Sequence, residues 1–269
     1  MNQLSHLIFA FSLFVVIYTT VYAITVRLSG QSLETLLYYF VGGGVLFSIM
    51  VSIVFGLKIY KRPKAKAIKK EDRTTGNAAT VISTIFVSFF IGAMGASVIH
   101  QWVYDIQILG HLSIFVGSVG VLVGAMMPDW DIPFLGIERH RNIVFHSFLL
   151  PVLIVLPTIG RIILMIVNSN LGQLETWVSP TELYILGFFF IGYASHLGLD
   201  VMPSKASPWE IVWRVISPLD EAPTGIKPLG PFRVSEKHAK SWLYANAFFL
   251  GLIAFGLLGL YYYHYYPWF

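Results

Sequence analysis

The chain is 269 residues long with a net charge of +4, is 56% apolar and only 12% charged, and has a mean hydropathy of +0.69. A soluble domain carries about 25% charged residues, so this balance argues against a water-soluble globule and for an all-α, polytopic membrane protein. With no cysteine, a disulfide framework, thiolate zinc sites and a cysteine nucleophile are excluded, which leaves His, Asp and Glu as metal ligands.

A helix needs about 20 mainly apolar residues to cross a hydrocarbon core of about 30 Å, at a rise of about 1.5 Å per residue. Windows meeting that requirement predict about seven transmembrane helices, at roughly 4–26, 34–57, 79–103, 108–127, 143–167, 182–202 and 242–263. The first lacks the basic flank and small-residue cleavage site of a secretory signal and reads as a retained span. The expected organisation is an N-terminal two-span hairpin over 1–60 and a basic linker over 61–78. A four-span core over 79–202 follows, then a cytoplasmic segment and a final span over 203–269. The aromatic ending from Tyr261 to Phe269 reads as an interfacial belt.

Basic residues give the spans a direction. Eight lie in 58–73, two are Arg139 and Arg141, and six lie in 203–240, so three alternate connections hold 16 of the 18. The positive-inside rule makes that side cytoplasmic, with the N-terminus inside and the C-terminus external. The run from Lys58 to Arg73 reads as a juxtamembrane linker drawn to anionic headgroups, at about 1 kcal/mol per basic residue. Aromatic residues are not interleaved with it, apart from Tyr60, so membrane lipids are the expected partners and nucleic acid is not.

Three clusters place acids and histidines where a membrane chain normally avoids them. Pro128-Asp129-Trp130-Asp131 closes the fourth span. Proline disfavours helix at the residue before it, which predicts an extended turn with Asp129 and Asp131 facing the same way. Two such carboxylates either share a divalent cation or form a water-exposed helix-end turn. His140-Arg141-Asn142-Ile143-Val144-Phe145-His146-Ser147 enters the fifth span. Asn142 is the expected N-cap, which puts His146 in the first helical turn. Arg141 is either a phosphate-holding fork or a positive-inside anchor. Ser195-His196-Leu197-Gly198-Leu199-Asp200 ends the sixth span, where a spacing of four puts His196 and Asp200 on one face. They either share a metal, or Asp200 orients the imidazole, or the pair is a structural hydrogen bond.

Topology brings all three clusters to the cytoplasmic layer. Histidines and aspartates together suit one or two divalent ions; imidazole content favours zinc, with manganese or magnesium as alternatives. Such an ion acidifies water for attack on an ester.

The ordered set Pro128–Asp131, His140–Ser147 and Gly192–Asp200 resembles the YdjM-type family of inner-membrane proteins, described as LexA-binding, metal-dependent hydrolases. The family pattern is a Pro-Asp-x-Asp, a His-Arg…His-Ser and a Ser-His-x-x-x-Asp, and the resemblance covers roughly 108–202. A distant similarity of that family to zinc-dependent phospholipase C and single-strand nucleases implies hydrolysis of a phosphoester, with a lipid as one substrate class. Carried over, the resemblance implies metal ligands at Asp129, Asp131, His140, His146, His196 and Asp200, with Asp131, His140 and Arg141 in catalytic roles. The family often separates its two loop histidines by five residues, and here the gap is six.

Gly110-His111 imitates a further Gly-His of the family. A straight helix from His111 to Asp129 spans about 27 Å, which places His111 at the opposite face unless Gly117, Gly120 or Gly124 breaks the span. His111 and His100 are therefore left outside the site, and His6 and His264, near span ends, need no functional reading. His238, Asp220 and Glu221 read as headgroup-facing or solvated, and Arg161 as pairing or snorkelling within the fifth span. The competing expectation is a non-catalytic, metal-binding regulatory or scaffold protein of the membrane. The sequence identifies no protein partner.

Overall fold

A computed structural model describes residues 3–28, 32–60, 70–104, 114–168, 177–201, 225–229 and 231–265. Among the described residues are seven helices long and apolar enough to cross a membrane. In chain order the helices are α1 (Gln3–Leu28), α2 (Leu33–Tyr60), α3 (Lys70–Tyr104), α4 (Ile114–Met126), a short α5 (Asp131–Leu135), α6 (Leu149–Val167), α7 (Pro180–Leu199) and α8 (Glu236–Tyr265). Single 3-10 turns at Met127–Trp130 and Ile137–Arg139 flank α5. Among the described residues there is no strand beyond two isolated bridges, so the chain is all-α. His111, Asp220, Glu221 and the core of the basic linker lie outside the described residues.

Two compact units divide the chain. One comprises Val15–Gly110 and Ser207–Pro218, the other Met1–Phe14, His111–Ala206 and Leu219–Phe269. In the first, α2 lies along α3 at a crossing that only glycine permits. A side chain at Gly43 would overlap Ala96, and one at Gly92 would overlap the Gly43 carbonyl. Close backbone approach at small residues is the usual device where lipid supplies no hydrophobic drive between helices. Ser48 adds a bond from its hydroxyl to the Ile85 carbonyl at 3.2 Å.

The second unit is built around α7, 72% of whose span is buried, against 28% for α6. Its start is capped by a serine. Ser179 accepts from the Glu182 amide at 3.1 Å, and Pro180 occupies the first turn, where its missing N–H costs nothing. Helix α4 meets α7 through Gly120, Gly124 and Gly192. A Cβ would strike the Ile185 carbonyl at Gly120, the Phe189 carbonyl at Gly124 and the Val121 carbonyl at Gly192. Gly117, Gly120 and Gly124 all lie within continuous α4 and serve packing; none of them breaks the helix. In the same first turn of α7, Glu182 takes hydrogen bonds from Thr158 and Arg161 of α6. Arg161 thus has its polar neighbour within the membrane span.

Candidate metal centre

The α4–α7 crossing sets the first ligand. His196 Nδ1 lies 2.7 Å from the Ala125 carbonyl, which can only accept, so Nδ1 carries the proton. In the neutral ring Nε2 is then a bare lone pair. It faces inward, 3.5 Å from Asp129 Oδ1 and 3.6 Å from Asp200 Oδ2, and has no hydrogen-bond partner. Asp200 follows one turn later, at the C-cap of α7, where its amide bonds the His196 carbonyl at 3.0 Å.

The aspartates of the fourth span arrive differently from the sequence expectation. The chain does not extend at Pro128; it tightens into the 3-10 turn and runs on into α5. Proline's fixed φ suits the first turn of such a helix, where no backbone donor is required. Asp129 and Asp131 therefore do not align as in a strand. Asp131 is fully buried, with Oδ1 3.1 Å from His140 Nδ1 and Oδ2 accepting from the Asn142 amide at 3.1 Å. Both of its oxygens thus engage the 140–142 loop, an arrangement typical of a carboxylate that orients a ligating histidine. Asp129 lies with His140 and His146, their ligand atoms all within 4.8 Å of one another.

The loop carrying those histidines is also a correction. Helix α6 begins at Leu149, not at 143, so His146 sits in a turn before it. Asn142 caps that isolated turn: its side chain accepts from the Val144 amide at 3.0 Å and its carbonyl from the His146 amide at 2.8 Å. Distant residues hold the loop in place. Lys227 bonds the Arg141 carbonyl at 2.9 Å and the Ile143 amide at 3.0 Å. Trp242 of α8 donates to the His146 carbonyl at 3.2 Å, Asn246 accepts from the Phe148 amide at 2.8 Å, and Tyr193 donates to the Phe145 carbonyl. Arg141 has φ +65°, a left-handed conformation that costs a bulky residue on the order of 1–3 kcal/mol. Its guanidinium is buried and reaches within 3.5 Å of Asp200 Oδ1.

One member of the cluster escapes sequence reasoning altogether. His6, in the second turn of α1, is 1% exposed and stacks on His196, ring centroids 3.8 Å apart and planes within 13°. Its Nε2 lies 3.5 Å from Asp200 Oδ1. The signal available was an ionisable side chain inside an apolar span, which its nearness to the chain end made easy to dismiss.

The centre therefore holds two ligand-capable groups. His6, His196 and Asp200 are buried; in the second group His146 is buried while Asp129 and His140 reach partly to the surface. His146 points Nε2 at Asp200 Oδ2, 3.0 Å away, and Nδ1 at Asp131 Oδ2, 3.4 Å away, yet neither contact has hydrogen-bond geometry. His6 Nδ1 and Asp200 Oδ2 likewise lack partners. Buried polar atoms are normally satisfied, and five unpaired atoms converging in one cluster fit a bound cation.

Other candidates lie elsewhere. His100 belongs to the first unit, where Tyr22 bonds its Nδ1 at 2.8 Å and Tyr39 and Tyr104 pack on its ring. His238 is exposed and bonds Ser235 at the start of α8. The family model for YdjM inner membrane proteins matches residues 85–266, about two thirds of the chain. That stretch contains every site residue named above except His6. No curated protein and no solved structure matches the chain.

Proposed function

From the premise that this chain belongs to the YdjM inner membrane protein family, we propose that it is a metal-dependent hydrolase acting on a phosphoester, a lipid one by preference, at the cytoplasmic membrane face. The observation carrying this reading is the convergence of imidazole nitrogens and carboxylate oxygens that face one another with no proton correctly placed between them. A divalent ion in such a ligand set polarises a phosphoryl oxygen and acidifies water. Nitrogen and oxygen donors without thiolates suit zinc first, then manganese or magnesium.

The chain's own residues have separable tasks. Asp131 fixes the ring of His140 through Nδ1 and leaves Nε2 as its functional atom. The His140 side chain is 30% exposed, whereas those of His146 and His196 are fully buried, so substrate reaches the cluster from the His140 side. Arg141 keeps a guanidinium beside Asp200 and supplies the fork that matches phosphate oxygens.

The surroundings support a lipid. Trp130, Phe134 and Ile137, which follow the site aspartates in sequence, and Leu229 and Phe232, near the Lys227 that pairs with the histidine loop, expose large apolar side chains, and Arg139 and Arg233 are exposed as well. An apolar groove of about 830 Å³ between α6 and α8 begins at Phe148, two residues beyond His146, and continues to Tyr263. Orientation with the N-terminus inside rests on the positive-inside distribution of Lys and Arg.

The test is metal analysis of the purified full chain, wild type against a His196→Ala plus Asp131→Ala double variant, followed by turnover of a phospholipid and a soluble phosphodiester. Wild type should hold a divalent ion that the variant loses, and should release product from the lipid. Near-zero metal in both proteins sinks the reading. A second reading, a non-catalytic metal-binding protein, draws on the burial of His6, His196 and Asp200, because structural sites are closed. Metal retained without turnover of either substrate would favour it.

A further inference from the structure

The loop from His140 to His146 is tied to two segments that expose apolar side chains. It meets the stretch Met127–Leu135 where the Asn142 amide donates to Asp131 Oδ2 at 3.1 Å and where the Phe134 and Phe145 rings face each other at 6.4 Å. Through the two backbone bonds of Lys227 it meets a tight turn closed by Leu229 and Phe232, whose amides donate to each other's carbonyls at 3.3 and 3.2 Å. We infer that both segments are interfacial anchors: Trp130, Phe134, Ile137, Leu229 and Phe232 enter the headgroup layer of the protein's own bilayer, and the basic residues beside them hold anionic phospholipid headgroups. The anchoring needs neither a metal nor a reaction.

Exposure, position and charge carry this assignment. Phe134, Ile137 and Phe232 are 71%, 75% and 63% exposed. Within a span lipid tails cover such residues, but facing water they would make the kind of apolar patch that soluble surfaces avoid. Trp130 and Phe134 lie four apart in one helical stretch and so share a side. Neither segment is far from a span. The fourth span stays apolar through Leu135, so Phe134 ends it and Ile137 follows by two residues, while Phe232 precedes the start of the last span at Glu236 by four. The bonds of Lys227 and Trp242 to the histidine loop put the start of α8 on the same membrane face. The headgroup layer there is about 5–7 Å deep, and tryptophan favours that depth.

The charges select the headgroup. In these segments Arg139, Lys227, Arg233 and Lys237 are exposed, against two exposed acids, Glu138 and Glu236, among the described residues. Large apolar side chains with basic neighbours are the pattern of a surface-seated element on anionic lipid. Seating both segments also braces the loop between them. Arg141 holds its left-handed backbone only if its surroundings fix it, and the carbonyl that Lys227 binds is its own.

The chain has no cysteine, so a single introduced one can carry a nitroxide. Full-length Ile137→Cys and Phe232→Cys are labelled separately and reconstituted into phosphatidylcholine vesicles with or without phosphatidylglycerol. Leu252→Cys, exposed in the middle of α8, serves as the lipid reference. Collisions with oxygen and with a water-soluble nickel chelate are then compared. With phosphatidylglycerol present, both labels should favour oxygen over nickel, as Leu252→Cys does. Adding Arg233→Gln should lower the ratio of protected to exposed Phe232→Cys label about fivefold, one basic residue's share of the attraction. Labels that stay open to nickel in both vesicles overturn the inference. Equal protection in both overturns the preference for anionic lipid, and protection gained only after a soluble protein fraction is added makes the occupant a protein and overturns the lipid assignment. Should one label disturb folding, the other decides, because each reports on its own segment.

Discussion

His196 and His100 make an instructive pair, because each is a buried histidine in a membrane helix and each helix packs through glycines. His100 bonds a tyrosine hydroxyl and is surrounded by tyrosine rings. His196 spends one nitrogen on a carbonyl and turns the other towards two carboxylates. Burial is common to both, so burial alone does not mark a site. What faces the second nitrogen does.

The sharpest way to break this contrast is to truncate each ring. His196→Ala should abolish metal binding, whereas His100→Ala should leave metal content unchanged and cost only stability; equal metal loss in both would erase the distinction. Next, Gly124→Val and Gly92→Val each force a side chain into a neighbouring helix. Both should destabilise by about 1–3 kcal/mol in detergent melts. Only Gly124→Val should also lower metal content, because it moves the carbonyl that positions His196. Asp131→Asn keeps the volume but removes the charge behind His140 and His146, and should weaken metal affinity about 10–100-fold by competition with a chelator. The smallest effect belongs to Asn246→Ala, which frees the Phe148 amide and should cost about 0.5–1.5 kcal/mol. Its metal affinity should fall by less than that of Asp131→Asn, and a larger fall would make the loop's outer support as important as its inner carboxylate.

The seven spans are legible in sequence because hydropathy is a property of a window, and α2 through α3 needed nothing else to be found. The three polar clusters are legible for the complementary reason, since ionisable groups are costly in lipid. Local conformation is less so. The proline rule constrains the residue before Pro128 but does not forbid a 3-10 turn through it. Asn142 is a cap, as its chemistry suggests, yet it caps an isolated turn held by Lys227, Trp242 and Asn246, about a hundred residues away. His6 was invisible because its partners are on α7, and no local pattern encodes that contact.

The loop carrying His146 is tied to α8, and the residues gathered around Asp200 begin at position 6. A chain synthesised from its N-terminus therefore commits its first histidine to the bilayer long before the groups it meets exist. The centre closes only when the last helix has been inserted. On the metal reading proposed above, loading would be a late event in biogenesis, and a chain truncated before Trp242 would reach the membrane without a finished site.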